Sequence, residues 1–201
     1  MISPAERDRI SAAIHAAEQA TSGEIVCVLM HAASTYSYAP ILWSAALALA
    51  APWLLVAFTA FSVVKILVAQ IAVFVIAGLA LSWTPLRMRL APRAVKRTRA
   101  HRAAMEQFFA RGVSRTKNRM GVMIFVSLAE HYAHVIADDG IAARVGHSEW
   151  QATVDALTRE IADGRIADGF IVAIERCGAV LAEHAPPDGE AHVLPDRIYV
   201  L

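Results

Sequence analysis

From Pro40 to Thr84 the chain reads PILWSAALALAAPWLLVAFTAFSVVKILVAQIAVFVIAGLALSWT, and Lys65 is the only charged side chain in the stretch. A helix crosses the hydrocarbon core with about 20 apolar residues. The block therefore holds two spans and a tight turn, placed at 41–61 and 64–84. Pro40 and Pro85 suit helix boundaries at its two ends. Lys65 falls at the turn, where a headgroup region would receive it; at the centre of one long span it would cost about 3 kcal/mol. Folding the block as a hairpin brings Tyr36, Tyr38 and Trp43 to the same interface as Trp83, an aromatic belt. Pro52 and Trp53, inside the first span, read as a mild kink and a packing residue. A buried helix pair in a soluble protein is the competing reading, and so long a run with one charge speaks against it.

This block explains the composition. The chain has 201 residues, 57% hydrophobic and 18% charged, with a mean hydropathy of +0.45. Soluble domains average about 45–50% apolar and about 25% charged. The net charge of +1 is a cancellation. Residues 87–119 hold eleven Lys/Arg against Glu106, whereas residues 120–201 hold five Arg against thirteen acids. Arg87, Arg89, Arg93, Lys96 and Arg97 follow the second span closely, and the opposite loop offers only Lys65. The positive-inside rule then places both termini in the cytoplasm. No signal peptide is read in residues 1–34. Two cysteines, Cys27 and Cys177, fit a reducing compartment as buried free thiols.

Outside the membrane about 150 residues remain, enough for one domain. Residues 1–34 are too few to fold alone, so they pack with residues 88–201, and the hairpin at 40–84 interrupts a discontinuous domain. Ser3-Pro4-Ala5-Glu6 is a helix start with a capping box, and Ile10, Ile14 and Ala17 recur at helical spacing. Thr21-Ser22-Gly23 stops that helix, and Glu24–Met30 (EIVCVLM) reads as a central strand. Ala91–Gly112 reads as a basic helix with Ala100, Ala103, Ala104 and Phe108 inside. Gly121–Leu128 and Tyr132–Asp138 form a hairpin through Ala129-Glu130-His131. Ser148–Gln151 reads as a second capping box, opening a helix with the stripe Trp150, Val154, Leu157 and Ile161 that Asp163-Gly164 closes. A last helix covers about 166–184, with Phe170, Ile174 and Leu181 on one side, and RIYVL (197–201) is an edge strand. The fold class is α/β: a small central sheet flanked by helices, interrupted by a two-helix transmembrane hairpin.

Five segments carry a family resemblance: TSGEIVCV (21–28), GVMIFVSLAEHYAHVIADDGI (121–141), Trp150 with its helix, ADGRIADGFIVAIERCGAVLAEHAP (162–186) and HVLPDRIYVL (192–201). In order and spacing the chain resembles the TPM domain family of thylakoid-lumen phosphatase-like and photosystem-repair proteins, in a bacterial membrane-anchored subgroup. The resemblance implies an acidic groove linked to metal binding and, in some relatives, an acid-phosphatase-like activity.

Asp138-Asp139-Gly140 is the leading site candidate. Two carboxylates beside a glycine turn suit a hard cation such as Ca²⁺ or Mg²⁺, and Glu24 and Asp168 are candidates to converge there. The same residues also fit a turn that caps a helix. With no nucleophile motif or phosphate loop, any phosphatase chemistry would use metal-activated water. His131 and His134 fall on opposite faces of a strand and cannot share one metal unaided. The basic stretch suits anionic lipid or the chain's own acidic body; it lacks the aromatic interleaving and reader motif of nucleic-acid binders. The functional expectation is an interaction and assembly-maintenance module for a membrane protein complex. The alternatives are a divalent-metal-dependent phosphatase and a cation-binding regulatory module.

Overall fold

A computed structural model describes residues 2–34, 38–83, 91–187 and 193–201, with Lys117 by its backbone only. Contacts divide the chain into two compact units, residues 1–33 with 98–201, and residues 34–97.

The first unit is built on a four-stranded sheet in the order β3-β2-β1-β4. Strand β1 (Glu24–Met30) and strand β2 (Gly121–Ser127) are parallel neighbours, with Glu24 opposite Gly121 and Met30 opposite Ser127. Both are buried over almost their whole length, as near-continuous β-branched runs require. Strand β3 (Tyr132–Ala137) returns antiparallel to β2, and β4 (Ile198–Val200) lies parallel to β1 as an edge.

Helices cover both faces. On one, α1 (Pro4–Glu18), α6 (His147–Ala162) and α7 (Ile166–His184) bury Ile10, Ile14, Leu157, Phe170 and Ile174 against Ile25, Cys27 and Ile124. On the other, α4 (Arg93–Ala110) lays its predicted stripe Ala100, Ala103, Ala104 and Phe108 on Val26, Val28, Met123 and Phe125. A one-turn helix α5 (Asp139–Ala142) follows β3. The predicted loop after α4 forms two 3₁₀ turns, Val113–Arg115 and Lys117–Arg119.

Local chemistry sets the helix ends. Ser3 and Glu6 form the predicted reciprocal box at α1. At the end of α6, Gly164 adopts φ +83° and donates to Ile161, while Arg165 donates to Glu160, a Schellman closure that needs the left-handed glycine. The second expected box is absent. Helix α6 starts at His147 with Gly146 in the extended cap position, so Ser148 lies inside the first turn and Gln151 donates to Asp155 instead.

The second unit is a helical hairpin. Helix α2 (Tyr38–Phe58) and α3 (Val63–Leu81) are each long and apolar enough to cross a membrane. They pack on each other, with Ser44 meeting Gly78. Pro40 is taken into the first turn of α2, where a missing N–H is harmless, so this span begins earlier than predicted. Lys65 sits in the first turn of α3, beside the loop. Trp53 does not pack inside the pair; it faces outward and is 80% exposed. Tyr36, Arg87 and Arg89 lie outside the described residues.

Candidate functional site

The acidic pair stands where β3 ends. Asp138 is buried and caps α5, accepting the Asp139 N–H on Oδ1 at 2.8 Å. Asp139 is exposed. Arg119 bridges them: one guanidinium nitrogen lies 3.0 Å from Asp138 Oδ1 and the other 2.7 Å from Asp139 Oδ2. These carboxylates, Asp138 first, push the Arg119 guanidinium pKa above its ordinary value.

The hairpin makes this meeting local. Asp138 N–H donates to the Gly121 carbonyl at 2.9 Å, so the chain entering β2 runs beside the chain leaving β3. Asn118 and Arg119 both take positive φ, 55° and 57°, which L side chains seldom adopt. Gly140 closes on them: a Cβ there would stand 2.1 Å from the Asn118 carbonyl oxygen and 2.7 Å from that of Arg119.

The other two predicted ligands are engaged elsewhere. Glu24 starts β1 at the same end of the sheet but accepts the backbone N–H groups of Val193 and Leu194, at 2.6 and 3.2 Å. Asp168 opens α7 and pairs with Arg9 at 2.7 Å. The C-terminal end of α7 meets the β1 entry, where Leu181 lies against Gly23, so Asp168 is at the far end of that helix. Among the described residues no group of three or more His, Cys, Asp or Glu is placed to hold a metal ion. A hard cation wants six or more oxygens, and here a guanidinium fills the space between the two available carboxylates. The pair as folded does not fit Ca²⁺ or Mg²⁺. One observation stands apart: Asp138 Oδ2 is buried and has no hydrogen-bond partner among the described residues.

A second acidic feature was missed in the sequence. Glu18 is buried at the end of α1 and accepts the Ile25 N–H at 2.7 Å. Burial pushes its carboxyl up to about 9, helped by Asp196, which also pairs with His15 at 2.7 Å. Glu18 lies four residues beyond Ile14, so the stripe already placed it inside. Glu130, read only as hairpin linkage, anchors the chain after β1 by accepting Ala33 N–H and bonds the buried Ser127 hydroxyl.

Cys27 and Cys177 are fully buried, and desolvation raises both thiols, Cys177 to about 12. Neither is poised as a nucleophile. His131 sits in the hairpin turn at φ 50°. His134, on β3, stacks edgewise near His101, whose ring meets the Tyr132 hydroxyl at 3.2 Å. Trp150 is buried in the core, as expected of packing.

The sheet is mixed, with helices on both faces and an acidic turn after its hairpin, and the long apolar helix pair is inserted in the sequence after its first strand. Residues 87–180 match the family model of the TPM domain, and the chain carries a TPM domain. The fold is similar to the NMR structure of the BA42 protein from the psychrophilic bacterium Bizionia argentinensis, with a TM-score of 0.61 and 19% identity over 100% of this chain and 95% of that one. No curated protein matches the sequence.

Proposed function

We propose that this chain is a bacterial inner-membrane protein that holds its TPM domain on the cytoplasmic side as an interaction and assembly-maintenance module for a membrane protein complex. The observation that carries this reading is the outward display of apolar side chains by α2 and α3, such as Trp53, Phe58 and Leu79, next to a basic run. Arg93, Lys96 and Arg97, with Arg87 and Arg89 before them, then meet anionic headgroups, each worth about 1 kcal/mol near such a surface. A reporter fused after Leu201 should be active only in its cytoplasmic form, and one placed in the loop at 59–62 only in its exported form. The reverse pattern overturns the orientation. Crosslinking in cells should recover a membrane protein with the full chain; recovery of none overturns the assembly role.

A second reading, a divalent-cation site that also serves a phosphatase, draws on the orphaned Asp138 Oδ2. The cation would have to displace Arg119 from between the two carboxylates. Calorimetry with Ca²⁺ or Mg²⁺ that gives heat only in Arg119→Gln would support a latent site; no heat in either protein removes it.

A further inference from the structure

The two edges of the sheet are protected to very different degrees. The β4 edge is three residues long, and the guanidiniums of Arg111 and Arg197 lie 3.8 and 4.9 Å from the Tyr199 ring centroid. Short length and flanking charge are the usual means of blunting a sheet edge. The β3 edge, YAHVIA, is twice as long and carries no Lys, Arg, Pro or acid.

Its hydrogen-bonding pattern follows from one bond. Gly121 and Asp138 form a bonded pair, and antiparallel pairs alternate. Tyr132, His134 and Ile136 therefore turn their backbone groups to β2. Ala133, Val135 and Ala137 turn theirs outward, where no strand of the described residues lies. Among the described residues no hydrogen-bond partner meets these outward groups. They form a template at every second residue.

A groove of about 330 Å³ runs along this edge, between β3 and α6. Ala137 walls it, Val145, Trp150 and Val154 line its apolar part, and the exposed Ala142, His147 and Gln151 also line it. An extended segment bonded to the three outward residues would turn alternate side chains to this face, over the groove.

We propose that the β3 edge and the Trp150 groove form a docking site for an extended peptide of a partner protein, added to the sheet as a fifth strand with one bulky apolar side chain in the groove. This rests on the interaction-module reading and names the surface it uses. Main-chain bonds supply affinity and the groove supplies selectivity, the division of labour of strand addition. A second copy of this chain fits less well. On that face its β3 offers only Ala133, Val135 and Ala137, and Val135 is already 5% exposed beneath its own helices. None of them can fill the partner's groove.

The test screens a displayed library of random peptides of about twelve residues against the full chain in detergent. Bound peptides should share one large aliphatic or aromatic position within an extended pattern. Binding should slow exchange of the Ala133, Val135 and Ala137 amides. Ala137→Pro removes an outward N–H and spares the ladder to β2; it should weaken the selected peptides by roughly tenfold or more. Ala142→Phe blocks the groove from an exposed position and should weaken them similarly, so the test survives a folding defect in the proline variant. Selected peptides that bind both folded variants as well as wild type overturn the proposal, as does a library that yields no binder. A chain that dimerises through β3, seen as an Ala133→Cys disulfide dimer, overturns it in favour of self-pairing. A cellular partner captured equally by wild type and Ala137→Pro sinks the edge but keeps the module; no partner for either, with peptide binding intact, sinks the module alone.

Discussion

Glu18 and Asp138 are two buried carboxyl groups at the entry end of the sheet, and the fold answers each in a different way. Glu18 has a single backbone N–H, that of Ile25, and a neighbouring carboxylate, Asp196. Among the described residues no cation pairs with it, so burial drives it to hold its proton, with a pKa of about 9. Asp138 has the Asp139 N–H and the Arg119 guanidinium. One is neutralised by a proton and the other by an arginine. The lesson is that an acid pair in a sequence says little about a metal until its countercharge is located.

The comparison can be broken first at Gly140. The Asp138 arrangement depends on the 118–119 backbone lying against a residue without a Cβ. Gly140→Ala must push that backbone away and should destabilise the fold by about 3 kcal/mol, the upper range of overpacking. Denaturant unfolding of the full chain in detergent measures it. A loss below about 1 kcal/mol would mean the two loops are not in contact.

Removing the arginine is the next test. Arg119→Met leaves the buried Asp138 without its countercharge, and stability should fall. The double variant Arg119→Met, Asp138→Asn removes the charge as well and should regain most of the lost melting temperature. A double variant no better than the single one would show that the guanidinium works by packing alone.

Glu18 should respond in the opposite sense. Its pKa is raised, so between about 4.5 and about 9 the folded chain binds more protons than the unfolded one. Its contribution is therefore full at low pH and is lost as pH rises through that window. Glu18→Gln keeps an acceptor for Ile25 and an N–H for Asp196 without titrating. The variant should show a flatter stability profile and gain on wild type progressively as pH rises toward 9. Parallel profiles for the two proteins would contradict a protonated Glu18.

These two sites also mark what could be read from the sequence. Strands, both helical faces and the apolar pair were legible because they depend on periodicity: EIVCVLM, GVMIFVSL and the stripe at 100, 103, 104 and 108 each carry their own pattern. Asp138 and Asp139 were visible as residues, but their partner was hidden among eleven cations. Only the hairpin register, which sets Asp138 against Gly121, brings residue 119 beside them. Asp168 and Glu24 were offered only as candidates to converge on the pair; Asp168 instead meets Arg9 and Glu24 takes the Val193 N–H, because the direction of α7 and the return of the 193–194 segment are tertiary facts. Ser148 failed as a cap since Gly146 nucleates the helix two residues earlier.

A third carboxylate gives the smallest and sharpest test. Glu6 is exposed, and among the described residues no arginine is in hydrogen-bond contact with it. It accepts the Ser3 backbone N–H and hydroxyl, both at 2.7 Å, and its pKa lies below the ordinary value, chiefly from the backbone bond. Ser3 accepts the Glu6 N–H in return at 3.3 Å. Ser3→Ala should cost about 1 kcal/mol, the usual worth of an N-cap. The sign of its pH dependence is set by the lowered pKa: the box supports the fold above the ordinary carboxyl range and loses that support as pH falls. Alanine keeps the backbone N–H, so the part of the Ser3→Ala deficit that comes from the lost hydroxyl bond to Glu6 should be present at pH 7 and shrink in acid, while the Glu18→Gln advantage appears only as pH rises. If both differences moved the same way with pH, solvent exposure would not be what separates a carboxylate held by backbone dipoles from one held by its own proton.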